Sequence, residues 1–496
     1  MKKGLPPTAR IALLVVLAVC LIFAVFLAGA NILLSGGRLS SFINDGPNET
    51  WLGYESASSA WPGRARAKKV LIRDRDAKAE WAFTIEDVRF SFSVLDLLRR
   101  RFHVTSLRGN GLTFHARNRL TREEAADRRR VALLPPIPGF PDPPLLVPGE
   151  KKAPPSGKEW SIRIDDIDLG PLREIWVDAY RYGGDGRVTG SFFLQPKVQA
   201  QVFRSMLTTR GGTLRSGEES LAKDVTATLG CVIDAWDPMK FPGSRMLRFV
   251  TGEMEARTRL DSPELVQRVL GELGGTKLQT GKGLLAVRGA VEHGVASATV
   301  DYAAPDLALR IFDVRLRGKL EGRGELSQVS LEKGGFHLNG GHVKLSDATI
   351  AEGAGATRQW WARLDFAPGD FRSARSMVLT TTVSVRARNA KPFLALIHTK
   401  LPAWTGKLFD LEGLAGRARL KLGKSLAEVR GLTAQVGDFH IDGEYQARGA
   451  SRNGTFLIDT GALSLGIGLN GATTEYRFLG AHGWFRERTG REPTID

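Results

Sequence analysis

The sequence predicts a mainly β protein held to a membrane by a single N-terminal helix. Three observations predict it: a long apolar stretch near the start, apolar and polar residues alternating with period two through much of the remaining chain, and 56 glycines among 496 residues. That is roughly 11% glycine where about 7% is usual. Alternation is the mark of strands with one apolar and one solvated face, and glycine punctuates them with turns and bulges.

From Ile11 to Leu34 the chain is apolar except at Gly29 and Asn31, long enough as a helix of about 36 Å to span a bilayer. Lys2, Lys3 and Arg10 precede it with no acid, so the positive-inside rule puts residues 1–10 in the cytoplasm and everything after Leu34 across the membrane. A cleaved export signal is the alternative, since Ala28-Gly29-Ala30 fits a small-x-small cleavage site. Either way the rest of the chain is exported.

The alternation is clearest in three places. Met254, Ala256, Thr258 and Leu260 share one face while Glu253, Glu255, Arg257 and Arg259 share the other; Val383 and Val385 oppose Ser384 and Arg386; and Leu420 and Leu422 oppose Arg417, Arg419 and Lys421 by alternation. Such strands belong to antiparallel sheets, because parallel strands buried on both faces read as continuous apolar runs. Gly334-Gly335 and Gly340-Gly341 read as hairpin turns.

Short helices are expected at Val94 to Arg101, at 262–274 where Ser262-Pro263-Glu264 supplies a cap, a first-turn proline and a first-turn acid, and at Pro392 to Phe409, broken near Pro402. Residues 121–158 differ in kind. A charged cluster leads into nine of the 23 prolines, between Pro135 and Pro155, a composition that cannot donate to a sheet and favours polyproline II. It reads as an insertion lying on the surface, or as a flap over an apolar groove through Ile137, Phe140, Leu145 and Leu146.

Reactive constellations are scarce. The chain contains no G-x-S-x-G, P-loop, H-E-x-x-H or C-x-x-C pattern, and with cysteine only at Cys20 and Cys231 a disulfide framework and a Cys-based zinc site are excluded. Asp165, Asp166 and Asp168 lack calcium-loop spacing and read as turn acids. No catalytic residue, metal or cofactor is expected. The 70 Lys and Arg against 53 Asp and Glu give a net charge of +17. The basic residues are spread along strand faces without interleaved aromatics, so they read as a solvated basic face or as one drawn to an anionic membrane or envelope polymer, and not as a nucleic-acid site.

The anchor followed by VLIRDRDAKAEWAFTIEDVRFSFSVLDLLRRRFHVTSLRGNGLTFHARN (Val70 to Asn118) resembles the opening of AsmA-like proteins of the bacterial envelope. The residues that carry the resemblance are Ile85, Val88 and Phe90, then Asp96-Leu97-Leu98, then Gly109 and Gly111. Further along, Gly340, Gly341, Val343, Leu345 and Asp347, and GLAGRARLKL after the Pro402 region, repeat the family's glycine, strand and Asp pattern. The resemblance implies a long antiparallel sheet curled into an open trough with two or three short helices. Its concave face would hold acyl chains, and no catalytic residue is implied.

The layout expected is therefore a tail (1–10), an anchor (11–34), an N-terminal β unit (35–120), the insertion (121–158), a central β region (159–390) and a C-terminal helix with a second β unit (391–496). The expected location is the inner membrane of a bacterium, single-pass, with the bulk of the chain in the periplasm. The expected function is to bind and help transfer phospholipid or a similar acyl lipid. The groove residues would be Met254, Ala256, Leu260, Val343, Leu345, Val383, Val385, Leu420 and Leu422, and outer-membrane or periplasmic proteins would be partners. The competing expectation is a structural or assembly factor with a closed, dry core.

Overall fold

The computed structural model describes residues 51–97, 99–147, 160–195, 197–270, 276–311, 314–330, 336–352, 355–372, 378–390, 411–424, 426–449, 451–471 and 473–494, with Ala28, Asn31, Ile32, Leu34 and Asn44. The protein is mainly β, 72% strand and 9% helical, which settles the class. It divides into two units, Met1–Glu219 with Thr226–Gly252, and Ser220–Val225 with Glu253–Asp496. Most of the expected anchor lies outside the described residues, among which no helix is long and apolar enough to cross a membrane. Its polar residue Asn31 is tied to the first unit: Asn31 Nδ2 donates to Ser59 O (2.8 Å), and the Ser59 N–H donates to Asn31 Oδ1 (2.9 Å).

The first unit holds β1 (Trp51–Gly53), β2 (Ser56–Trp61), β3 (Arg64–Arg75), β4 (Ala79–Phe92), α1 (Val94–Leu97), β5 (Arg101–Asn110), β6 (Leu112–Asn118), α2 (Arg122–Ala125), α3 (Arg128–Val131), β7 (Ser161–Leu169), β8 (Leu172–Val177), β9 (Tyr180–Gln195) and β10 (Gln199–Ser216). Strand β11 (Glu219–Trp236) contributes residues to both units. Most pairings are antiparallel, but β5 pairs with β7 and β6 with β8 in parallel, which corrects the expectation of antiparallel strands throughout. The cause lies in the connection. Parallel neighbours need a crossover of a dozen or more residues, and the proline-rich stretch between Asn118 and Ser161 is that crossover. The long strands β4 and β9 flank these pairs, β4 bonding to β5 and β6, and β9 to β7 and β8.

The described part of the crossover is packed down. Thr121 and Glu124 form a reciprocal capping box on α2, and Asp127 caps α3. Arg117 Nε donates to Glu80 Oε2 (2.8 Å), Nη1 to Pro135 O (3.0 Å) and the Asp142 carboxylate, and Nη2 to Pro141 O (2.9 Å). Trp176 Nε1 donates to Leu133 O (3.1 Å). Ile137 and Phe140 are buried against Ala82 and Leu71. A run of prolines cannot donate, but its free carbonyls accept, and arginine with five donors suits them.

The second unit holds most of β12 (Val250–Leu260), whose first three residues belong to the first unit, with α4 (Glu264–Leu270), β13 (Thr276–Glu292), β14 (Val295–Ile311), β15 (Val314–Ser330), β16 (Phe336–Glu352), β17 (Gly355–Phe366), β18 (Gly369–Arg372), β19 (Val378–Ala387), β20 (Leu414–Gly423), β21 (Leu426–Val436), β22 (Phe439–Arg448), β23 (Ser451–Asp459), β24 (Ser464–Asn470), β25 (Thr473–Arg477) and α5 (Ala481–Thr489). From β13 onward each strand pairs antiparallel with the next, with β18 a short piece set between β16 and β19. The Ser262 hydroxyl caps α4 by accepting from the Glu264 N–H (3.1 Å). The expected helix at Pro392 to Phe409 and the turn at Gly334-Gly335 lie outside the described residues.

Gly340-Gly341 is no turn. Both residues lie inside the 17-residue β16, where a bulge separates the pairs Gly340↔Glu325 and Leu338↔Leu326. A Cβ on Gly341 would stand 2.4 Å from Arg323 O, so the glycine marks a close backbone approach. A second bulge follows at Asp347, whose φ is +51°.

Helix α5 closes the unit. Phe485 (0% exposed) and Ala481 pack on Leu457 of β23, and Trp484 lies over Gly466 of β24, where a Cβ would come within 2.7 Å of its ring. The helix is bracketed by Gly480 and Gly490, both in the left-handed region.

Candidate functional site

Residues directly opposite each other on paired strands share a face, so the register traces rows across the second unit. One row runs Leu285, Tyr302, Gly322, Val343, Leu364, Val385, Gly416, Ala434, Ile441, Ile458, Leu465, crossing every strand from β13 to β24 except β18. Tyr302 is its one polar-tipped member, and its hydroxyl is occupied, donating to Gly281 O (2.6 Å). Two residues along on the same face, Ala304, Leu320, Leu345, Ala362, Ala387 and Leu414 form a second row, mostly buried.

The first row is half-buried from Leu285 to Ile441 and buried at Ile458 and Leu465. The apolar cluster that contains most of these residues is built of strand residues plus Ala390. Described helix α5 packs on the opposite face, over Leu457, Gly466 and Gly468. Among the described residues no helix joins this cluster, and the sheet that carries it is curled. Burial pushes the phenols of Tyr302 and Tyr445 on this face up from their ordinary value.

The outward rows are charged. Glu321, Lys344, Arg363 and Arg386 lie opposite one another, all exposed. Many outward charges pair locally, such as Arg317 with Asp306 (2.8 Å) and Lys319 with Asp347 (2.8 Å). Exposed pairs of this kind are screened by solvent and contribute little, so they serve solubility more than stability.

The expected groove residues divide accordingly. Val343 and Val385 stand in the half-buried row and Leu345 in the buried one. Val383 is buried opposite Phe366 and Ala418, and Leu420 and Leu422 are half-buried opposite Val429 and Ala427. On β12, Leu260 is fully buried, Ala256 half-buried and Met254 42% exposed. Sequence reasoning missed Tyr302, Leu364, Ala434, Ile441, Ile458 and Leu465. The available signal was the L-G-I-G-L alternation of Leu465 to Leu469, with apolar residues inward and glycines beneath α5.

The expected flap is placed elsewhere. In the first unit an apolar row runs Leu52, Ile72, Phe83, Phe114, Ile175, Tyr182, Leu214, with the rings of Phe83 and Phe114 4.6 Å apart. Ile137 and Phe140 pack on the other face, beside Arg73 and Ala82, and Arg73 stacks 4.9 Å from the Phe140 ring. The crossover caps the polar face because that face offers Arg117, His115 and Trp176 as partners for its carbonyls. Leu145 stays 40% exposed and Leu146 half-buried.

Two polar clusters resemble reactive sites and are built otherwise. Ser464 Oγ lies 3.0 Å from His482 Nε2 and donates to Asp459 Oδ2 (2.9 Å), while the same His482 nitrogen pairs with Asp459. A nucleophile and an orienting carboxylate must use different ring nitrogens, so this trio is a clamp fixing the start of α5. Asp165, Asp166 and Asp168 lie inside β7, not in a turn, and pair with His103, Arg108 and Arg187. Among the described residues no group of three or more His, Cys, Asp or Glu is placed to hold a metal.

No family model, no curated protein and no solved structure matches this chain.

Proposed function

We propose that the protein is an AsmA-like component of a bacterial envelope, anchored in the inner membrane by Ile11 to Leu34, with its β units in the periplasm. Its curled sheet would form an open trough that binds phospholipid or a similar acyl lipid and helps transfer it during envelope biogenesis. The observation that carries this reading is the apolar row from Leu285 to Leu465, half-buried over most of its length, with the helix α5 seated on the opposite face. An acyl chain lying along such a row removes apolar surface from water at about 25 cal/mol per Å² and requires no hydrogen-bond partner from the sheet. The anchor would place one end of the protein at a lipid source, and the AsmA-like patterning at Gly340 to Asp347 supports the same reading.

Lipid extraction and mass spectrometry of the detergent-purified full chain test it. Acyl lipid at a ratio of at least one per protein is expected. Protein that carries no lipid after exchange into several detergents and after reconstitution with phospholipid would leave the closed structural core as the better reading.

A further inference from the structure

We propose that the second unit carries a phosphate-binding cleft on its outward face, separate from the apolar rows. A cleft of about 460 Å³ is lined there by Arg417, Arg419, Arg430, Gly431, Glu444 and Arg491. That volume falls in the range of small-molecule sites, roughly 300–1,000 Å³.

The sequence builds this cleft at a bulge. On β21, Arg430 and Gly431 occupy one extra residue relative to both neighbouring strands, between the pairs Arg419↔Arg430 and Arg417↔Thr433 on one side and Val429↔Tyr445 and Leu432↔Gly443 on the other. Gly431 takes a φ of +60°, the left-handed conformation that such a bulge asks of glycine. Its bare backbone leaves room for Arg491, whose guanidinium would lie 3.5 Å from a Cβ at that position. Arg491 is brought there by the tail after α5, which is held where the Thr494 N–H donates to Asp442 Oδ2 (3.0 Å).

The charge arrangement is unfavourable without a ligand. Arg419 stands directly opposite Arg430, and like charges in that relation are destabilising. Arg417, two residues along, shares their face. Arg417 and Arg419 pair with no carboxylate among the described residues, and Arg430 pairs with Glu428. Arg491 Nη1 is buried without a hydrogen-bond partner and lies 3.7 Å from Glu444 Oε1. Four guanidinium groups thus converge where one carboxylate, Glu444, lines the cleft. Guanidinium forks bond phosphate oxygens two at a time, and Thr382 and Thr433 also line the cleft.

The ligand is a phosphate oxyanion, free or as the diester of a lipid headgroup. The test measures the melting temperature and calorimetric binding of the full chain in detergent, in phosphate-free buffer. It is titrated with inorganic phosphate, with glycerophosphoglycerol as a chain-free headgroup, and with chloride at matched ionic strength. At least one phosphate compound should raise the melting temperature above the chloride control, and the tighter one names the source. R417Q/R419Q removes two exposed charges, so the fold should be kept, and affinity should fall by roughly tenfold or more. Stabilisation no greater than that by chloride, or unchanged binding in R417Q/R419Q, would overturn the proposal. Because neither probe has an acyl chain, the result stands apart from the lipid reading.

Discussion

Arg117 and Glu80 meet at 2.8 Å beneath the proline-rich crossover, each side chain only 1% exposed. A buried pair of this kind is costly to break, because the remaining partner keeps an uncompensated charge. Here the arginine also holds the carbonyls of Pro135 and Pro141, so it joins the crossover to the sheet. Arg117→Leu should destabilise the first unit by about 3–5 kcal/mol in denaturant unfolding. Glu80→Leu/Arg117→Leu should recover only part of that, because the crossover carbonyls stay unpaired. Full recovery would mean that the pair matters and the crossover contacts do not.

Phe485 should be the corresponding anchor in the second unit. Phe485→Ala is expected to cost about 3–5 kcal/mol. Gly466→Val places a side chain where Trp484 now lies and should lift α5. Hydrogen exchange of residues 481–489 checks both, with faster exchange expected in each variant. Unchanged protection would show that α5 does not depend on that contact.

His103 lies between Asp165 (2.6 Å) and Asp96 (3.1 Å). The hydrogen bond to Asp165 leads in raising its pKa, burial opposes the rise, and Asp96 adds to it. A raised folded pKa gives stability that is fully present below the unfolded value of about 6.5 and is lost as pH rises through the folded value. At Asp459 burial pushes the carboxyl up, but the Gly461 amide, Ser464 and His482 outweigh it and hold it low. Its contribution is present above an unfolded value of about 3.9 and is lost as pH falls through the folded one. Melting temperature against pH should therefore fall on the alkaline side, and His103→Gln should flatten that limb and also soften the acid one, because the same imidazole helps hold the Asp165 and Asp96 carboxyls low. An unchanged alkaline limb in His103→Gln would remove the assignment.

Much of this architecture was legible from alternation, since Val343, Leu345, Val383 and Val385 could be placed on one face without any coordinates. The limits came from bulges and from topology. In β16 the inward series Val343, Leu345 continues as Ala348, Ile350 because the bulge at Asp347 inserts a residue, so a strict period of two fails mid-strand and Gly340-Gly341 mimics a turn. The parallel pairs β5–β7 and β6–β8 depend on long-range register that no local pattern encodes. The row itself passes through Gly322 and Gly416, which carry no hydrophobic signal, and the arginine cleft joins residues 417 and 491 through a helix that alternation could not reveal.

Val385 and Ser384 separate an open trough from a closed core. Val385 is half-buried between Leu364 and Gly416, while Ser384 faces outward beside Asp365. In a lipid-lined trough the carboxylate of Val385→Asp can reach water, so the variant should fold and lose bound lipid. In a dry core it would cost several kcal/mol as an unpaired buried charge. The uncharged outward control Ser384→Asn should change neither folding nor lipid content.

Photo-crosslinking in living cells gives the sharpest reading of the proposed lipid face. A photoreactive residue would replace Val343, in the half-buried row, and in a second strain Lys344, one position along and outward. After irradiation and purification, mass spectrometry should find acyl-lipid adducts at position 343 and essentially none at position 344. Equal labelling at the two positions, or adducts to protein alone at 343, would contradict lipid binding along this row.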